Sequence, residues 1–251
     1  MAHTSTEGKG FAFITGSAQG IGKAIALRLA KDGFNIALND IPDKAAQLEE
    51  GESEIRALGR KARSFVGDVS DEESVKSMIG QAVKYFGPNL DVFVANAGMT
   101  TNNSIIDTSV EEWDKIFAIN ARGVFLCYKY AAIQMISQEP SGRGGRIIGA
   151  SSVSGKRGRK EGISYCGAKF AVRGMTQVAA LDLAKYGITV NAYAPGPIDG
   201  PMMAGLLADD KDGSKRALWI DSIPLGRAGQ PNDVAGLVSF LASKDAGYIT
   251  G

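Results

Sequence analysis

The sequence predicts an α/β fold: one doubly wound parallel sheet with helices on both faces. Three observations carry this expectation. Short apolar runs alternate with helical patterns along all 251 residues. Those runs are continuous rather than alternating, as in strands buried on both faces. The connections are short and no linker or composition break divides the chain, so residues 1–251 read as one domain.

The first strand is 11–15 (FAFIT). It passes through a glycine-rich turn into a helix over 20–32, where Ile21, Ala24, Ile25 and Leu29 recur at helical spacing and Gly33 marks the end. A strand at 34–38 and a helix at 43–59 follow. A strand at 63–66 leads to a helix over 71–86, with Asp71 placed to cap it. The strand 90–96 precedes a long helix over about 110–137. The strand 145–151 precedes a helix over 164–185, and the strand 188–194 precedes 195–222. That last stretch holds Pro195, Gly196, Pro197, Gly200, Pro201, Gly205 and a charged run from Asp209 to Lys215. It shows no periodicity and reads as a loop that closes over a substrate, because so long a loop in a compact domain is usually functional. A helix over 231–243 completes the pattern.

Composition narrows the function classes. The 28 basic and 27 acidic residues leave a formal charge of +1, which argues against nucleic acid or an anionic membrane as partner. A hydrophobic content of 44% supports a real core. The single histidine, His3, sits in a polar N-terminal tail, so a His-based triad, a His general base and a zinc site are not expected. The two cysteines, Cys127 and Cys166, form neither a disulfide framework nor a CxxC pair and suit a reducing compartment. No apolar run reaches the ~18 residues of a bilayer span, and the N-terminus lacks a signal-peptide core. A cytoplasmic protein is expected.

The turn after the first strand reads Thr15-Gly16-Ser17-Ala18-Gln19-Gly20-Ile21-Gly22. Gly16 permits a tight turn, Gly20 lets backbone approach a phosphate, and Gly22 lets helix and strand pack closely. The helix N-terminus then presents N–H groups and a partial positive charge to a pyrophosphate. The spacing is GxxxGxG rather than GxGxxG; its strand–turn–helix context gives it weight. Asp40 follows the turn by about 20 residues, where a carboxylate accepts hydrogen bonds from an adenosine ribose and repels a 2′-phosphate. NAD is therefore favoured over NADP. Asp68 and Val69, after the third strand, are placed near the adenine.

Tyr165 and Lys169 lie four residues apart, on one face of the same helix. Spacing alone carries little. The chemistry carries more: a free phenol near pKa 10 is a poor acid or base at neutrality. An ammonium ~4 Å away at an effective dielectric of ~20 would favour the phenolate by about 4 kcal/mol, or up to ~3 pK units. Ser152 lies at the carboxyl end of the 145–151 strand, where open α/β sheets bind ligands. Asn96-Ala97-Gly98 ends the fourth strand, and Asn120 sits mid-helix, a costly place for an amide that is not used.

The turn Thr15–Gly22, Asn96-Ala97-Gly98, Asn120, Ser152, Tyr165 with Lys169, and Pro195-Gly196 together resemble the short-chain dehydrogenase/reductase family, in order and spacing, across essentially the whole chain. The resemblance implies a Rossmann-type fold and nicotinamide-dependent hydride transfer. It implies Tyr165 as general acid/base, Ser152 as hydrogen-bond partner of the substrate oxygen, and Asn120 as anchor of a proton-relay water. Lys169 would bind the nicotinamide ribose and lower the Tyr165 pKa. Asn96, Ala97 and Gly98 would line the cofactor, with Pro195, Gly196 and the backbone of Ile198 at the carboxamide; no metal is implied. The resemblance also implies a homodimer or homotetramer built on the helices 110–137 and 164–185.

There are departures. Gly200 stands where the family usually has Thr, Gly149 where it often has Asn, and Val153 where the most similar subgroup often has Gln. The chain stops at Ile249-Thr250-Gly251, where members continue through one more strand. The framework around Lys169–Gln177 and Gly187–Asn191 is most similar to diacetyl/acetoin reductases, which implies a small ketone or secondary alcohol as substrate. Sugar or polyol dehydrogenase and 3-oxoacyl-carrier-protein reductase are the alternatives. The basic group Lys156, Arg157, Arg159 and Lys160 would suit an anionic substrate or a carrier protein. A non-catalytic NAD-binding regulator is the reading from a different class.

Overall fold

A computed structural model describes residues 9–138 and 144–251; His3 lies outside them. The strands are β1 (Phe11–Thr15), β2 (Asn35–Asn39), β3 (Ala62–Ser64), β4 (Leu90–Ala95), β5 (Gly145–Ala150) and β6 (Ile188–Tyr193). They form one parallel sheet in the order β3-β2-β1-β4-β5-β6. This is the Rossmann-type order, and it reverses between β1 and β4. A crevice opens there, at the carboxyl ends of the strands. Each strand lies within a residue or two of its expected span.

The continuous apolar strands split their side chains between two layers. Phe11 and Phe13 of β1 point to one layer with Phe93, Val75, Met78, Val124 and Val172. Ala12 and Ile14 point to the other, with Ile25, Leu29, Leu48, Ile55 and Val238. The period of two is invisible in the sequence because both faces are buried. Phe13 and Phe93 are cross-strand partners whose rings stack at 5.1 Å.

Helices α1 (Gly20–Lys31) and α2 (Ala45–Ala57) cover the second layer. Helix α3 (Glu72–Phe86) covers the first, and the Asp71 carboxylate caps it by accepting from Ser74 N at 2.6 Å. The expected helix over 110–137 is three segments. They are α4 (Val110–Phe117), one π-helical stretch (Ala118–Arg122) and α5 (Gly123–Ile136). By length and composition alone, Val110–Ile136 could cross a membrane. A search for unbroken apolar runs misses it because charged residues punctuate it. Its apolar face, including Val124, Leu126, Cys127, Ala131 and Met135, is spent on the sheet. Helix α6 (Ile163–Leu183) packs beside α5.

The segment 195–222 is not one loop. It carries α7 (Pro201–Leu206) and α8 (Ser214–Asp221). In α7 only Met203 is buried, and in α8 nothing is. Without a buried stripe neither helix has a period to read. Pro201 at the first turn of α7 fits, since its missing N–H would be unbonded there anyway. The Asp210 carboxylate accepts from Lys215 N and Arg216 N at the start of α8. Helix α9 (Pro231–Ala242) packs on α1. Beyond it, Gly251 N donates to Val190 O and Val190 N to Thr250 Oγ1, so these last residues lie along β6.

Candidate active site

The crevice between β1 and β4 is built by close backbone approach. A Cβ at Gly16 (φ +63°) would stand 2.8 Å from Ala97 Cα, and one at Gly22 only 2.1 Å from Gly16 O. Asn96 fastens this packing: its Nδ2 donates to Thr15 O (2.9 Å) and Gly16 O (3.0 Å). Its Oδ1 accepts from Tyr193 Oη at 2.8 Å, and Thr15 Oγ1 accepts from Asn96 N and Ala97 N. The Asn96-Ala97-Gly98 segment therefore shapes the glycine turn rather than merely lying beside it.

No side chain caps the first N–H groups of α1, and no acid stands in its first turn. The positive end of α1 thus faces the crevice with no acid of its own first turn on it, which fits an anionic group. Gly20 (φ +56°) has only Pro201 Cδ within 4 Å of a built Cβ, at 3.6 Å, and Ile21 packs inward on the second layer. The Ser17 hydroxyl is occupied: it accepts from Asn39 N and donates to Asn39 O, tying the turn to β2. Asp40 turns towards the same turn, its Oδ2 accepting from Ala18 N at 3.2 Å. Lys44 Nζ reaches Gln19 Oε1 at 3.4 Å. Asp68 closes its own turn on Ser70 N, and Val69 is buried against Gly123.

The four polar side chains expected to carry chemistry come from three places. Ser152 follows β5 and accepts from Ser154 N at 3.1 Å, capping a short turn. Tyr165 and Lys169 sit on the first turns of α6, with Lys169 Nζ 5.5 Å from the Tyr165 ring centroid. Asn120 lies in the π-helical stretch, fully buried. A Cβ on Gly98 would lie 3.0 Å from Asn120 Oδ1 and 3.5 Å from Lys169 Nζ, so glycine at 98 lets these groups converge. The Asn120 amide is not idle: it accepts from Met99 N (2.9 Å) and donates to Met99 O (2.7 Å). Across the crevice, Val153 N donates to Pro195 O, tying the Ser152 turn to the segment after β6. Gly196 has nothing within 4 Å of a built Cβ, and Ile198 packs beneath against Gly229.

Burial dominates the electrostatics of the Tyr165 phenol. Burial raises the phenol above its ordinary value, while hydrogen bonding with Ser152 and the charge of Arg159 oppose that rise. Lys169 is itself buried, pushed down to about 8, and its Nζ donates to Ala150 O at 2.8 Å. The basic group is not one patch either: Lys156, Arg157 and Lys160 are exposed, but Arg159 turns inward with its Cζ 6.0 Å from the Tyr165 ring centroid. Nothing in its sequence neighbourhood marks it out, because the contact depends on how two loops fold back. Gly149 is explained by packing, since a Cβ there would stand 2.0 Å from Tyr128 Oη.

A family model described as enoyl-(acyl carrier protein) reductase matches residues 16–251. A short-chain dehydrogenase/reductase of Armillaria gallica is 47% identical over 254 residues, covering 100% of this chain and 95% of that protein. The 3-oxoacyl-[acyl-carrier-protein] reductase FabG of Staphylococcus aureus is 42% identical over 240 residues, 96% of this chain and 93% of that one. Among solved structures, an acetoin dehydrogenase from Salmonella typhimurium superposes with a TM-score of 0.82 at 35% identity, over 96% of this chain and 91% of that chain.

Proposed function

Since the chain belongs to the short-chain dehydrogenase/reductase family, whose members are oxidoreductases that bind NAD(H) or NADP(H), we propose that it interconverts a small ketone and its secondary alcohol with NAD(H). Acetoin or diacetyl is the substrate class favoured. The approach of Asn120 Oδ1 and Lys169 Nζ to Gly98, with Lys169 Nζ 5.5 Å from the Tyr165 ring centroid and Ser152 hydrogen bonding to that phenol, beside an α1 N-terminus that no side chain caps, carries this reading.

The residues fit a dinucleotide. The α1 N-terminus and Gly20 would receive its pyrophosphate, and Asp40 the adenosine ribose. Gln19, Ile21, Asp68, Val69, Asn96 and Ala97 would line its path, and Pro195, Gly196 and Ile198 would face its carboxamide. When bound, the cofactor supplies or takes up the hydride at the substrate carbon. Ser152 keeps an O–H to direct at the substrate oxygen while its lone pair holds Ser154 N. The Tyr165 phenol delivers a proton to that oxygen in reduction and recovers it in oxidation. Lys169, on the same helix face, holds the ribose and adds positive charge. The Asn120 side chain is committed to Met99, so any relay water would use other groups of that π-helical turn. The segment 195–222, with α7 and α8, covers the substrate; Met202 and Trp219 suit a small apolar molecule.

The FabG relative favours a second reading, reduction of a 3-oxoacyl thioester. The two part in one assay. Purified protein oxidises NADH with diacetyl or acetoin under the first, and with an acetoacetyl thioester under the second. Turnover of ketoses alone would move the substrate to sugars. NADH binding with no turnover on any of these would leave a regulator. The apolar side chains exposed on α5 and α6, including Phe125, Ile133, Val178 and Leu181, fit a second copy of the chain.

A further inference from the structure

We propose that Arg159 is a positioning residue for proton transfer: its guanidinium, held over the Tyr165 ring by Asn102 and Thr101, sets the pH at which that phenol ionises. The inference rests on Tyr165 being the acid/base group. Arg159 Nη1 donates to Asn102 Oδ1 at 2.6 Å and Nη2 to Thr101 O at 3.3 Å. The Asn102 amide has one acceptor and one donor end. Its Nδ2 donates to Glu161 Oε2 at 3.1 Å, so the Glu161 carboxylate aims Oδ1 at Arg159. Glu161 sits at φ +56°, and among the described residues no other non-glycine has a positive φ. That conformation is uncommon for a side-chain-bearing residue and marks a tightly determined segment. The adjacent Gly162 bridges Asn103. Two loops are thus locked together beside the phenol.

The groups facing Tyr165 are few. Lys169 and Cys166 come from its own helix, Ser152 from the end of β5, Tyr193 from β6 and Arg159 from the 156–162 loop. The Glu161 carboxylate stands beyond Asn102, where Lys160 Nζ offsets it at 3.7 Å. Of the two cations near the ring, Lys169 is buried and titrates near 8, whereas a guanidinium stays charged at every working pH. Arg159 is therefore the dependable positive charge on the phenolate.

The first readout needs no substrate. The Tyr165 phenol is titrated by ultraviolet tyrosinate absorbance as the difference between the wild-type protein and Tyr165→Phe. The same difference is taken in an Arg159→Gln background. The phenol should titrate about half to two pH units higher without the guanidinium, the range for one charge ~6 Å away at effective dielectrics between ~80 and ~20. Arg159→Lys should restore most of the shift, and Arg157→Gln, the exposed neighbour, should move nothing. The alkaline limb of kcat/KM for ketone reduction should rise with the phenol. A phenol that titrates unchanged in Arg159→Gln, with activity lost only through KM, overturns the inference and makes Arg159 a substrate contact. An equal shift from Arg157→Gln overturns it too, reducing the effect to net charge. Failure of the functional reading looks different: Tyr165→Phe would then keep its activity whatever Arg159 does.

Discussion

At the scale of single residues, the account turns on proton transfer and on one carboxylate. Tyr165→Phe should lower turnover about 10²–10⁴-fold while NADH affinity, read by fluorescence titration, stays near wild type. Asp40→Ala should improve NADP use relative to NAD at least about fivefold, since one charge pair at ~4 Å is worth ~1 kcal/mol even in water-like surroundings. Equal selectivity in the variant would remove Asp40 from the ribose site. Lys169 gives a pH signature. Its pKa falls from 10.5 to about 8 on folding, so between those values the unfolded chain holds more protons and stability rises with pH. Denaturant unfolding should show the wild type gaining on Lys169→Met between pH 8 and 10.5, with no such gain below. Tyr165, Lys169, Ser152 and Asn120 stood out in the sequence as candidates through the order of motifs that resembles the family, since spacing alone carries little. Their environment did not. Burial of Lys169, the commitment of Asn120 to Met99 and the inward turn of Arg159 depend on contacts between segments far apart in the chain.

At the scale of elements, the glycine turn is held by packing that a single methyl should break. Gly22→Ala would place a Cβ 2.1 Å from Gly16 O, a backbone atom that cannot move aside without opening the turn. It should cost about 1–3 kcal/mol, visible as a lower Tm, and weaken NADH binding in the folded fraction. A variant with wild-type Tm and affinity would show that the close approach is not needed. The strands and long helices were legible because each buries a face or a full run. Helices α7 and α8 were not, because α8 buries no residue and α7 only Met203. The π-helical stretch was hidden for another reason: Ala118–Arg122 continues the helical pattern on either side, and only its hydrogen bonding differs.

At the scale of the whole molecule, sheet order, crevice and site form one chain of cause. A 3-2-1-4-5-6 parallel order needs a reversal between β1 and β4, and the reversal opens the crevice that the glycine turn, Asn96 and Gly98 then line. The parallel sheet with helices on both faces followed from the alternation of apolar runs and helical patterns; the strand order, and with it the place of the crevice, came only with the structure. Assembly is the remaining property at this scale. Leu181 is 81% exposed on α6 and Phe125 49% exposed on α5. A double change, Leu181→Glu with Phe125→Glu, should lower the oligomeric state measured by sedimentation; an unchanged state would move the contact to another face. The central claim, that this crevice is a hydride-transfer site worked by Tyr165, is met most directly by one measurement. It is NADH oxidation by the purified wild-type protein and by Tyr165→Phe, against diacetyl, acetoin, ketoses and an acetoacetyl thioester. The account expects turnover of a small ketone by the wild type and near-complete loss in the variant. Equal rates from the two proteins on any of these substrates would contradict it.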